Sequence, residues 1–169
     1  GKFTKKVEYF MDKEKEYIAD IRLGKQTDTL DLTGSTVKLS DVPKLTQNKI
    51  LKAVKLFIGD IKQEPPMFSA LKVNGQPLYK SARKGIDIPR KKRMVRIYDI
   101  SLIYFNKNTI TLMVTCGRGT YIRSLAKDIA KQLDTVGHLV SLKRTRIGEY
   151  KEKNCIAIND FPEWISAQT

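Results

Sequence analysis

Histidine occurs once in this chain of 169 residues, at His138, and cysteine only twice, at Cys116 and Cys155. A zinc site needs several such ligands at short spacing, and a disulfide framework needs an even set of cysteines in a small secreted chain. Neither pattern is present, so no metal and no disulfide are expected, and both cysteines read as reduced, core-packed residues. The lone histidine has no serine or cysteine signature around it, which argues against a nucleophile–histidine triad. Also missing are an apolar run long enough to span a bilayer, a recognisable signal peptide, a basic amphipathic helix and a lipidation signal. No membrane role is expected, and the expected compartment is the cytoplasm. Acidic residues are the last shortage: 18 Asp and Glu stand against 32 Lys and Arg, for a net charge of +14. An excess of that size points to a polyanionic partner, nucleic acid foremost.

What is present suits one domain, since 41% apolar residues can furnish a substantial core. Residues 17–23 alternate loosely and stop at Gly24, reading as a strand, and 35–39 read as a second, short one. Thr46 is placed to N-cap a helix whose apolar positions Ile50, Leu51, Val54, Phe57 and Ile58 follow helical spacing up to Gly59. Asn74-Gly75 is a hairpin-turn signal, and a short helix before Gly85 follows it. Residues 93–105 and 109–116 are apolar and β-branched, joined across Asn106-Lys107-Asn108, and predict the clearest hairpin. A helix from about Thr120 carries Ile122, Leu125, Ala126, Ile129 and Leu133 on one face, and a strand follows from Gly137. Strands outnumber helices without alternating with them, so the fold class is α+β with a mixed, largely antiparallel sheet flanked by helices and loops.

The positive charge is concentrated. Lys80, Arg83, Lys84, Arg90, Lys91, Lys92, Arg93 and Arg96 face a single acid, Asp87, within one short run. Met67, Phe68, Pro77, Leu78 and Tyr79 lie beside it. Phosphate neutralisation by the cations and stacking of bases on the rings would suit RNA, although charge alone leaves a solubilising face open. At the start of the helix beginning near Thr120, Arg123 poses a separate problem. The helix dipole disfavours a cation there unless something anionic lies close.

Four ordered segments carry a resemblance to a known family: KEYIADIRLGKQTDTLD at 15–31, PPMFSALKVNGQPLYKSARKG at 65–85, CGRGTYIRSLAKDI at 116–129 and LVSLKRTRIG at 139–148. Together they closely resemble the TruB-type tRNA pseudouridine synthases, which isomerise a uridine of the tRNA T-loop. The resemblance implies a pseudouridine synthase core, a tRNA T-arm partner, and neither a metal nor an organic cofactor. It implies that Arg123 grips the catalytic aspartate, that Tyr17 stacks on the extruded uracil and is a candidate for moving the C5 proton, and that Leu142 packs against the target base. A nearby Arg123 charge would help ionise the Tyr17 phenol. The segment 63–96 matches a mobile loop that closes over the tRNA arm, making Lys72, Lys80, Arg83, Lys84, Arg90, Lys91 and Lys92 candidate phosphate contacts.

One family element has no counterpart. The nucleophilic aspartate of the family lies in a Gly-Thr-Leu-Asp-type motif upstream of the segment matching GKFTKK, and no such motif occurs here. Asp28 and Asp31, in TDTLD, belong to a different element and are not assigned that role. The expectation is therefore one partial catalytic domain over 1–169, incomplete on its N-terminal side, without a complete PUA-type appendage, and inactive alone. Its oligomeric state is left open. A non-catalytic RNA-binding fragment and a structural RNA-binding protein of ribosomal type are the competing readings. The latter explains the charge but not the GTYIR and TDTLD segments.

Overall fold

A computed structural model describes residues 2–168. In chain order, a 3-10 turn (Lys2–Lys6) leads into helix α1 (Val7–Asp12) and strands β1 (Lys15–Leu23), β2 (Lys25–Thr27) and β3 (Thr36–Leu39). Helix α2 (Gln47–Lys55) and strand β4 (Gly59–Gln63) follow, then the two-residue strands β5 (Lys72–Val73) and β6 (Gln76–Pro77) and helix α3 (Leu78–Ala82). The remainder comprises β7 (Arg93–Phe105), β8 (Thr109–Cys116), α4 (Ile122–Gln132), β9 (Gly137–Ile147), β10 (Tyr150–Lys151) and α5 (Phe161–Ser166).

Six strands make one sheet in the order β10-β9-β1-β8-β7-β4, and every pairing in it is antiparallel. The α+β expectation holds. The only parallel element among the described residues is an isolated bridge between Asp31 and Leu139. Along β8, Ile110, Leu112, Val114 and Cys116 are buried while the residues between them are half-exposed, the period-2 signature of a strand with one face in the core. Helix α4 lays Ile122, Leu125, Ala126, Ile129 and Ala130 on that face, against Ala19, Ile21 and Leu23 of β1. Each fully buried leucine or isoleucine there stabilises by about 1.5–3 kcal/mol, so the core fixes where α4 begins relative to the sheet. That start is where Arg123 sits.

The cap at Thr46 forms as expected, its Oγ1 accepting from the Lys49 N–H at 3.2 Å. Helix α2 nevertheless ends at Lys55 instead of running to Gly59. Gly59, at φ 108°, starts strand β4, which completes the sheet beside β7. Of the two residues beyond the helix, Phe57 packs against the core through the turn that follows, whereas Ile58 is exposed. Asn74 and Gly75, at φ 50° and 79°, make the turn of the β5–β6 ribbon. One cysteine departs from expectation. Cys116 is buried, but Cys155 is exposed and lies beyond the sheet core.

Candidate functional site

Arg123 is a junction. Its Nη1 donates to the carboxylate of Asp31 and to the carbonyl of Thr29, both at 2.9 Å, and its Nη2 donates to the carbonyl of Phe68 at 2.7 Å. One guanidinium therefore joins the start of α4 to the 28–34 loop and to the segment leading into β5. The anion that a cation at a helix start requires is Asp31. Asp31 stands in the recognisable TDTLD segment, but only the fold brings it to Arg123, 92 residues further along the chain.

The 28–34 loop is built to hold this acid. Asp31 Oδ1 accepts from Thr29 Oγ1 at 2.7 Å, from Thr33 N–H at 3.0 Å and from Thr33 Oγ1 at 2.6 Å. Leu30 sits at φ 62°, a conformation that costs a β- or γ-branched residue energy, and its carbonyl receives the Leu139 N–H of β9 at 3.0 Å. Gly34 has to be glycine for space. A Cβ there would lie 2.2 Å from Asp28 Oδ1 and 2.4 Å from Thr29 Oγ1. Burial would push the Asp31 carboxyl up, but hydrogen bonds from Thr33 and Thr29, with the Arg123 charge, hold it below the ordinary carboxylate value of 3.8. The sign follows: its contribution to stability is complete above the ordinary value and is lost as pH falls through the depressed one. Acid unfolding of the Asp31→Asn variant should thus be shallower than that of the parent below pH 4, as a circular-dichroism titration will read.

Asp31, Arg123 and Leu142 line one open cleft of about 320 Å³, together with Leu32, Thr33 and the start of β9. Leu142 is 45% exposed, with its side chain available to that cleft. Tyr17 is not part of the cleft wall. It lies on β1 opposite Arg144, while Leu142 lies opposite Ala19, so tyrosine and leucine are diagonal neighbours on one sheet face. Burial raises the Tyr17 phenol above its usual value, and a hydrogen bond and charge from Arg144 pull against that rise. The cation at this phenol is Arg144 and not Arg123, which is committed to Asp31. The expectation that Arg123 would ionise Tyr17 is corrected accordingly.

The basic loop divides into two classes. Lys72, Lys80, Arg83, Lys84, Lys91 and Lys92 are exposed. Arg90 is different: its side chain is 17% exposed, and Nη2 meets Glu64 at 3.2 Å and Asp87 at 3.4 Å. Its Nη2 closes the base of the loop on these two carboxylates, while its buried Nε has no partner among the described residues. The loop tip is held by Leu78, fully buried, and by the Tyr79 N–H, which donates to the Ser69 carbonyl at 3.0 Å. Between loop and core lies a second cleft of about 380 Å³, walled by Pro65, Pro66, Met67, Phe68 and Arg90 on one side and by Thr27 and Leu30 on the other. Among the described residues no three His, Cys, Asp or Glu side chains converge as metal ligands, and no helix is long and apolar enough to cross a membrane.

Comparison with known proteins matches the whole length in two parts. Residues 1–122 fit the family model of the TruB family pseudouridylate synthase (N terminal domain), and residues 123–169 that of the tRNA pseudouridylate synthase B C-terminal domain. The junction falls within α4, and β9 of the second part pairs with β1 of the first. The tRNA pseudouridine synthase B of Saccharophagus degradans is 43% identical over 166 residues, covering 96% of this chain and 53% of that protein. Its counterpart in Francisella philomiragia is 44% identical over 164 residues, covering 96% and 54%. The chain thus spans about half the length of the curated relatives it matches. Among solved structures, a chain of a Cbf5-Nop10-Gar1 complex superposes with a TM-score of 0.69 at 26% identity, over 98% of this chain and 41% of that one. A chain of an H/ACA RNP bound to a substrate RNA containing 2'-deoxyuridine gives 0.63 at 24% identity, over 98% and 40%, a likeness of fold alone.

Proposed function

Because the chain belongs to the TruB family of pseudouridylate synthases, we propose that it forms the RNA-binding cleft and part of the catalytic machinery of an enzyme converting uridine to pseudouridine in the T-loop of tRNA, in the cytoplasm. In that reaction the bond from N1 to C1′ breaks, a bond from C5 to C1′ forms, the C5 hydrogen leaves as a proton and N1 takes one up. The single observation that carries the reading is the Arg123 junction beside Leu142 in one open cleft. Three of the guanidinium's five N–H groups have described partners, which leaves two for a second carboxylate.

That second carboxylate is the nucleophile, and it comes from outside these 169 residues. Asp31 is poorly suited to attack: Oδ1 is saturated by two threonines, Oδ2 is held by Arg123, and the lowered basicity of the carboxylate marks a weak nucleophile. Its work is to fix Arg123. Tyr17 and Leu142 support the extruded base, whose removal from the stack costs a few kcal/mol. The exposed lysines of the loop grip the T-arm backbone, and no cofactor is used. The test is to incubate an unmodified tRNA transcript with a full-length synthase carrying these residues and to map pseudouridine by carbodiimide adducts that stop primer extension. A stop at one T-loop uridine is expected; modification elsewhere, or none, would sink the proposal.

A further inference from the structure

Tyr17 faces Arg144 because of an irregularity in the sheet. Glu16 of β1 is opposite Arg146, but the next residue, Tyr17, is opposite Arg144, the register having skipped Thr145. Without that bulge the tyrosine would face a threonine. Bulges re-aim side chains, and here the skipped Thr145 turns back to bond Glu16, its Oγ1 donating to Glu16 Oε1 at 2.7 Å. The re-aimed Arg144 lies directly across from Tyr17 on the neighbouring strand, and its guanidinium pulls the phenol down against the rise that burial causes. Neighbouring cations on β9 are committed elsewhere, Lys143 to Glu152 at 2.8 Å and Arg146 to Glu14 at 2.6 Å. Arg144 forms no ion pair with a carboxylate among the described residues, so its charge is undivided.

We infer that Arg144 is a positioning residue for Tyr17, fixing the phenol oxygen across the strands and favouring negative charge on it as the C5 proton is moved. The inference rests on the proposed role of Tyr17 at the target uracil. Other groups near this oxygen do not substitute for Arg144. On β8 the residue opposite Tyr17 is Val114, and Cys116 lies opposite Lys15 with its thiol pushed up by burial and so neutral. Lys15, two residues along β1, feels Cys116, Asp12, Arg144 and Arg118, and its ammonium is itself made less favourable by burial. Its Nζ donates to the backbone carbonyls of Met11 and Lys13. A phenol that is half-buried and unassisted is a poor proton acceptor near neutrality.

Two readouts test this. In the chain labelled with ring-13C tyrosine, the Tyr17 resonance is assigned by its loss in Tyr17→Phe and titrated with pH. Arg144→Leu is expected to move the midpoint upward, and Arg144→Lys to move it less, because the ammonium keeps the charge but not the planar donor. In a full-length synthase, Arg144→Leu should slow single-turnover tritium release from [5-3H]uridine T-arm RNA by about tenfold or more, with RNA affinity within about twofold. An unmoved midpoint overturns the contact. A weakened affinity with an unchanged rate at saturation makes Arg144 a phosphate contact and overturns the positioning role. A fully active Tyr17→Phe overturns the inference through the reading beneath it, and the titration then separates that failure from loss of the contact.

Discussion

Replacing Arg123 with leucine is expected to lower the stability of the chain by about 2–4 kcal/mol and to release two loops at once. Breaking one side of a buried ion pair costs about 3–5 kcal/mol, and the solvent reaching this pair reduces the Coulombic share. The exposures of 24% for Arg123 and 27% for Asp31 place it between the surface and buried cases. The carbonyls of Thr29 and Phe68 also lose their donor. Hydrogen exchange should therefore rise in 28–34 and 65–71 together, well beyond the change in the sheet. Arg123→Lys should recover part of the Asp31 attraction but neither the fork nor both carbonyl contacts. In a full-length synthase either change should cut turnover by about 10²–10³ if, as proposed, the guanidinium positions the attacking carboxylate. A Leu variant with unchanged melting and unchanged exchange in both loops would mean that Gly34 and the Leu30 turn hold the loop without it.

The second large effect concerns salt. Reversing Lys91 and Lys92 to glutamate should weaken binding to T-arm RNA by about a hundredfold near physiological salt. It should also flatten the dependence of log K on log salt by about 0.7–0.9 for each phosphate contact removed. Arg90→Ala should behave differently despite its place in the same run. Its Nη2 is paired with Glu64 and Asp87, so its loss should loosen the loop and reduce affinity while leaving the salt slope within error. Equal slope changes for Arg90 and Lys91 would show that the closure of the loop base by Glu64 does not persist when RNA binds. Unchanged affinity for the double reversal would reduce the cluster to a solvated face.

The elements with strong local signals were legible before the fold was known. The β7–β8 hairpin, the Thr46 cap and the apolar face of α4 each follow from periodicity and turn chemistry within a few residues. Strand β4 was not, because its GDIKQ sequence has weak strand character and owes its conformation to pairing with β7. The site divides in the same way. Arg123 and Leu142 stand in recognisable segments, and the helix dipole already demanded an anion beside Arg123. That the anion is Asp31 depends on a loop held by Leu30 at positive φ, Gly34 and two threonines, a tertiary arrangement that no local spacing encodes. The partner of Tyr17 depends on a one-residue bulge, and a one-residue shift replaces Arg144 by Thr145. Arg90 illustrates the reverse case, since a charge run reads as uniform until burial shows which member is already paired.

The central claim is that this chain supplies the cleft and the guanidinium while the attacking carboxylate lies outside it. Tritium release from [5-3H]uridine T-arm RNA measures this most directly, with the purified 169-residue chain and a full-length synthase assayed side by side. The account predicts catalytic release by the full-length protein and none by the chain alone, even at RNA concentrations that saturate binding. Catalytic release by the chain, abolished in Asp31→Asn, would contradict it and make Asp31 the nucleophile.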